Sequence, residues 1–274
     1  MKNFLMLFAF IIMGSCSYSS TDEPPLYSSS TFEGKYKEVA EKIISEDTIA
    51  LRQIIKENNL DVNHKDKTHG ISLLTYSLSN RKSKSCKKLL DLGANPNQMD
   101  DKKELVPAIT IAASIKESSD YLKMLLQYGA DPNIVSNKLD EVIYTKSTPL
   151  NAAVVASLEN TKLLLENGAN VNFAPKEELL PLTTALTFKQ IDVANYLILK
   201  KEADVNKVIV ISANKDTLRI SELLRLNAFP LESQEYVYKM EIVDYLKNKG
   251  IDYRKAEIPE YYYDNFSKDY LEKY

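Results

Sequence analysis

Paired leucines recur along the chain, and three of the pairs run through two further residues into a glycine. Leu89-Leu90, Leu125-Leu126 and Leu164-Leu165 lead into Gly93, Gly129 and Gly168. Such pairs suit the inward face of a short helix, and a glycine just beyond suits the left-handed position that ends one. The pattern predicts helix pairs at about 36–58, 72–91, 107–127, 149–167 and 181–201. A degenerate terminal copy is expected over 216–250, with an irregular connection around Asn227 to Ser233.

The phrase after each leucine pair is longer than its glycine. It reads Leu89-Leu90-Asp91-Leu92-Gly93-Ala94-Asn95-Pro96-Asn97, then Leu125-Leu126-Gln127-Tyr128-Gly129-Ala130-Asp131-Pro132-Asn133, then Leu164-Leu165-Glu166-Asn167-Gly168-Ala169-Asn170-Val171-Asn172. Weaker copies are Leu60-Asp61-Val62-Asn63, Glu202-Ala203-Asp204-Val205-Asn206 and Lys249-Gly250-Ile251-Asp252-Tyr253. The closing asparagines fall at 63, 97, 133, 172 and 206, so the intervals are 34, 36, 39 and 34. The Asn or Asp after each glycine can satisfy turn backbone groups through its short side chain. Glu202 takes the glycine position in the fifth copy, where the cap is expected to be strained or differently closed.

A second element keeps the same register. Ser147-Thr148-Pro149-Leu150-Asn151-Ala152-Ala153 places a helix cap before a proline that needs no N–H. Leu180-Pro181-Leu182 and Val106-Pro107-Ala108 keep the proline, and Ser72-Leu73-Leu74-Thr75 loses it. A period of about 33 residues with these two elements resembles the ankyrin repeat. The resemblance implies an all-α ankyrin-repeat solenoid of about six helix-turn-helix repeats with hairpin fingers and a C-terminal capping segment. Asn151 stands where that family has histidine. Tyr76, Thr110, Ala152 and Thr184 occupy the family's surface position on the first helix, where Tyr76 can anchor a partner or serve packing.

The N-terminus reads differently. Lys2 precedes an uninterrupted apolar run from Phe4 to Met13, too short for the roughly 30 Å hydrocarbon core. Met13-Gly14-Ser15-Cys16 resembles the lipobox of bacterial lipoproteins, with Met13 where leucine is usual. The resemblance implies cleavage before Cys16 and acylation of it. Residues 1–15 are then a signal peptide and 16–31 a lipidated flexible tether. The repeat domain is expected over 32–253, and an aromatic-rich C-terminal cap over 254–274. Ser17 after the cysteine favours, by the same resemblance, the outer membrane over the inner. The expected place is the bacterial periplasm, with the membrane reached through the lipid anchor.

Composition and charge narrow the chemistry. Hydrophobic residues make up 44% and charged residues 27%, enough for a core. A formal net charge of −3 gives no general attraction to nucleic acid. His64 and His69 are the only histidines, and no nucleophile elbow, phosphate-binding glycine loop or metal-ligand spacing occurs. No enzyme activity, cofactor or metal is expected. Cys86 falls inside an apolar helix pattern and reads as a buried small hydrophobe.

Acidic residues gather on the predicted fingers: Asp100, Asp101 and Glu104, then Asp140 and Glu141, then Glu177 and Glu178. Stacked repeats would align them as a negative ridge able to steer a basic partner. Lys102, Lys103, Lys138 and Lys176 are interleaved, which fits ordinary solvated loops equally. Tyr261, Tyr262, Tyr263, Phe266, Tyr270 and Tyr274 crowd the C-terminal segment. Tyr263, Phe266 and Tyr270 follow helical spacing, as a cap helix or as an exposed interaction patch.

A small ankyrin lipoprotein resembles periplasmic immunity proteins that neutralise toxins delivered by type VI secretion, phospholipase effectors above all. A protein partner of that kind is expected. The alternative is an envelope scaffold or stress-protection protein without a toxin partner.

Overall fold

The computed structural model describes residues 27–99, 106–135, 148–175, 179–211 and 216–274. Six helix pairs stack along the described chain. They are α1 (Lys35–Ser45) with α2 (Thr48–Glu57), α3 (Leu73–Ser79) with α4 (Ser83–Asp91), and α5 (Ala108–Ala113) with α6 (Asp120–Gln127). Then come α7 (Pro149–Ala156) with α8 (Leu158–Glu166), α9 (Pro181–Thr187) with α10 (Ile191–Lys201), and α11 (Ile220–Arg225) with α12 (Gln234–Asn248). Two short helices, α13 (Tyr262–Asn265) and α14 (Lys268–Lys273), close the chain. A small antiparallel ladder, β1 (Val210–Ile211) with β2 (Thr217–Leu218), precedes the sixth pair. Among the described residues no helix is long and apolar enough to cross a membrane.

Local chemistry starts the first helix of each pair. Ser72 accepts from the Thr75 N–H while Thr75 Oγ1 accepts from the Ser72 N–H, a reciprocal cap on α3. Thr148 accepts from the Asn151 N–H, and Pro149 opens α7. Pro181 opens α9 in the same way. Leu73, Leu78, Ile109, Leu150, Leu182 and Leu186 of these helices meet Leu89, Leu125, Leu164 and Leu197 of the second helices in one continuous core.

The closing phrase does more than end a helix. Asp61, Asn95, Asp131, Asn170 and Asp204 each accept, through Oδ1, the N–H two residues on, at 2.8–3.0 Å. The asparagine reached in that way then accepts from the next repeat. Asn63 Oδ1 takes the Asn95 N–H at 2.7 Å, and Asn97 the Asp131 N–H at 2.7 Å. Asn133 takes the Asn170 N–H at 2.9 Å, and Asn172 the Asp204 N–H at 2.8 Å. Asn97 and Asn133 also donate back through Nδ2, to the carbonyls of Gly129 (2.8 Å) and Gly168 (2.9 Å). A ladder of side-chain amides thus joins five consecutive turns.

The opposite end of the stack is pinned too. Ser85 Oγ donates to the Ile43 carbonyl (3.0 Å), and Asn227 Nδ2 to the Leu186 carbonyl (3.0 Å). Buried Asn160 donates to the carbonyls of Ala113 (3.1 Å) and Ile115 (2.9 Å). From the second pair to the fifth, first helices of neighbouring pairs approach each other more closely than second helices do. The stack therefore curves, with the first helices on its concave side.

Three expectations need correction. The tether boundary at 31/32 is too late: Ser29–Thr31 forms a 3-10 turn, and Tyr27 exchanges hydrogen bonds with the Asn80 side chain (3.1 and 3.2 Å). Phe32 is already buried in the core beside these residues. The C-terminal aromatic helix is two helices, because Ser267 caps a new one by accepting from the Tyr270 N–H. Its inward register is consequently Tyr262, Phe266, Tyr270 and Tyr274, and Tyr263 is exposed. The third correction, on Tyr76, belongs to the binding surface described below.

Glycines at 93, 129, 168 and 250 have φ between 80° and 94°, as their turns require. Glu202 adopts the left-handed conformation itself, φ 54°, and the Ala203 N–H closes onto the Leu197 carbonyl at 2.9 Å. That side chain carries the steric cost that glycine avoids. Glu202→Gly should therefore raise the unfolding free energy by about 0.5–1 kcal/mol. Gly168→Ala, with open space around its would-be Cβ, should lower it by about 1 kcal/mol through backbone strain alone. Urea unfolding followed by far-ultraviolet circular dichroism reads both, and a loss on Glu202→Gly would refute the strain. In the ladder, Asn133→Ala removes two inter-repeat bonds and should cost about 2 kcal/mol, while Asn172→Ala removes one and should cost about 1 kcal/mol. Equal losses would show that the bond to Gly168 contributes nothing.

Candidate protein-binding surface

The anchor expected at Tyr76 is not on the surface. Tyr76 is fully buried, with Phe32 edge-on to its ring at 5.2 Å and 89°. The segment before the first pair folds over this helix, which no spacing within the repeat reveals. Burial first, and Glu41 second, push the Tyr76 hydroxyl up to about 12. Thr110, Ala152 and Thr184 are buried as well. Cys16 and all seven finger acids, Asp100, Asp101, Glu104, Asp140, Glu141, Glu177 and Glu178, lie outside the described residues.

What the described residues do present on the concave side is an absence of charge. The first helices α3, α5, α7 and α9 contain no Asp, Glu, Lys or Arg. Side chains of this row that still reach solvent are small or apolar: Thr75, Ser79, Ile111, Val155 and Ala156 are half-buried and Thr187 is exposed. The sequence carries this signal openly, since no charged residue occurs in 71–80, 106–115, 148–158 or 179–188.

The second helices are the reverse, rich in charge that the molecule uses on itself. Tyr128 donates its hydroxyl to Asp91, and Lys87 reaches the same carboxylate at 3.0 Å. Glu159 accepts from Ser119 Oγ (2.6 Å) and Lys123 (3.2 Å) across the next interface. These bonds hold the Asp91 and Glu159 carboxyls below their ordinary values, the Tyr128 and Ser119 hydroxyls being the largest causes. Lys162 and Lys201 both sit over the Tyr196 ring, at 5.2 and 5.7 Å. Exposed pairs of this kind contribute little stability individually but fix the outer faces to one another.

The described finger before α3 is built around Asp66. Its Oδ1 accepts from the Ile71 N–H (2.6 Å), and its Oδ2 from the N–H groups of Thr68 (3.0 Å) and His69 (2.8 Å). His69 Nδ1 lies 3.3 Å from the same oxygen. His64 stacks flat on Tyr36 at 3.6 Å, and desolvation is the main reason its imidazole is less basic than usual. Among the described residues no three His, Cys, Asp or Glu side chains converge as a metal site would need. Cys86 is buried, and desolvation pushes its thiol up to about 12, so it packs as a hydrophobe.

Asn151, in the place of the family's histidine, reaches forward to the next repeat and donates to the Leu179 carbonyl. It thus links the start of one first helix to the approach of the next. The substitution keeps a donor where the stack needs one.

Comparison with known proteins agrees with this geometry. Residues 109–209 match ankyrin repeats, in three copies. No curated protein matches the sequence. Among solved structures, the ankyrin repeat domain of human ASB11 superposes with a TM-score of 0.53 at 19% identity, over 74% of this chain and 82% of that one. At that identity the likeness concerns architecture. The described body has the fold of an ankyrin-repeat solenoid.

Proposed function

We propose that the chain is a membrane-tethered periplasmic scaffold that binds and neutralises a secreted toxin, such as a type VI phospholipase effector, without catalysis of its own. The observation that carries the binding half is the uncharged concave row of α3, α5, α7 and α9, and the sequence segments between the repeats are rich in acid. The second helices, where charged side chains would have to be stripped of water, are the poorer docking face. A desolvated centre with a charged rim is how protein interfaces combine affinity and steering. The tethering half is supported by Cys16 behind its apolar run, which would hold the inhibitor beside the membrane where a lipase works. The non-catalytic reading is supported by the engagement of both histidines and by the inert environment of Cys86.

A tagged chain should co-purify a secreted effector, and deletion of its gene should sensitise cells to siblings that deliver that effector. Ser79→Arg and Val155→Arg should each weaken capture at least about tenfold, equal to 1.4 kcal/mol, with the circular dichroism unchanged. Retained capture by both variants would move the partner off the concave face. Recovery of resident envelope proteins alone, with a resistant deletion strain, would replace immunity by the envelope-scaffold reading. Cys16→Ala should shift the protein from the membrane to the soluble fraction and abolish fatty-acid labelling. Persistent labelling of that variant would overturn the anchor.

A further inference from the structure

Two cations are buried together where the solenoid ends. Lys239 of α12 is completely buried and Arg225 of α11 nearly so. Arg225 donates through Nε to the Ala256 carbonyl (3.2 Å) and through Nη1 to the Tyr274 main-chain oxygen (2.8 Å). Its guanidinium lies 4.1 Å from the centre of the Tyr253 ring. Lys239 donates to the Asn227 carbonyl (3.1 Å) and sits 3.5 Å from the centre of the Tyr274 ring.

Tyr274 is therefore the lid of this site. Its hydroxyl donates to the Arg225 carbonyl, and its ring packs on Tyr262 and Tyr270 of the two closing helices. Further ties hold the segment down: Tyr270 donates to the Phe229 carbonyl (2.8 Å) and Tyr236 to the Lys273 carbonyl (3.0 Å). Among the described residues no Asp or Glu lies within 4.0 Å of either cation. Glu241, the acid of α12 that faces α10, is bound to Asn195 at 2.7 Å. Glu235 on α12 and Asp269 and Glu272 on α14 are exposed.

We propose that residues 256–274 form a proton-coupled latch, which closes over the last repeat as Lys239 gives up its proton and loosens in mild acid. Arginine keeps its charge under all these conditions, so the burden of removing one of two buried positive charges falls on the lysine. Burial first, and repulsion from Arg225 second, bring Lys239 from 10.5 down to about 6 in the closed state. With the lid lifted, the amine regains water and its ordinary basicity. Between about pH 6 and 10.5 the open form thus binds one more proton than the closed form. Closing is favoured about tenfold per pH unit as pH rises through that window, and the dependence levels off below 6. The other titratable groups facing the site are Tyr253, Tyr262, Tyr270 and Tyr274, all displaced upward by burial and silent near neutrality.

Amide hydrogen exchange of the full chain, corrected for intrinsic rates, tests the latch between pH 6.5 and 8.5. The segment 262–274 should show an opening equilibrium that falls about tenfold per pH unit, while α3 shows no such trend. Lys239→Met should give a closed cap with no pH dependence, and Lys239→Arg a loosened cap with none. A flat response in the unaltered protein overturns the proposal even if a variant fails to fold. An undiminished slope in Lys239→Met overturns it as well.

Discussion

An asparagine amide offers one acceptor and one donor at the end of a short, stiff side chain. That is enough to read both polar groups of a neighbouring turn, and the stack of repeats rests on this capacity. Asn133 takes the Asn170 N–H and returns a proton to the Gly168 carbonyl, so it is satisfied only when the next turn sits at one height and one rotation. Apolar packing of leucines alone would tolerate sliding, because methyl groups are not directional. The ladder converts a sticky stack into one with a fixed register. It also explains why the turn ends in glycine followed by Asn or Asp: the left-handed residue aims the acceptor, and the acceptor two residues before the amide holds that amide in place.

Placing hydrogen bonds between repeats at the two ends of the helices has a consequence for the faces between. With the ladder at the finger end and Ser85, Asn160 and Asn227 at the other, the polar demands of stacking are met at the extremities. The four central first helices, α3, α5, α7 and α9, are left free to be uncharged. The second helices, spread further apart on the convex side, use Lys, Glu, Asp and Tyr to bridge wider gaps. One side of the solenoid thereby carries the charge, and the central part of the other carries none.

Much of this was legible in the sequence, because it is local and periodic. The helix pairs, the proline starts, the glycine turns and the awkward cap at Glu202 all follow from residues within one repeat. The fate of Tyr76 did not, since burial there depends on Phe32, which lies outside the repeat and 44 positions earlier. The aromatic register at the C-terminus failed for a related reason: one capping serine, Ser267, breaks the periodicity that suggested a single helix. The uncharged row was visible but silent to a search for acids and bases.

The least legible feature is the buried cation pair, and it shows what happens where the ladder runs out. Among the described residues its last rung joins Asn172 to Asp204, and the sixth pair is held by other means. A terminal repeat has no successor to satisfy, so its exposed end must be closed by something that is not a repeat. Tyrosines do this here by packing their rings on one another, with the Arg225 guanidinium over the Tyr253 ring. Lysine and arginine read as surface residues in any sequence, and only the tertiary position of Tyr274 and Tyr253 turns Arg225 and Lys239 inward. The closure is then unlike the rest of the molecule in one physical respect. The rungs between repeats are asparagine amides, which do not titrate, whereas the end of the stack depends on an amine that can lose its proton, so near neutral pH the cap responds and the rungs do not.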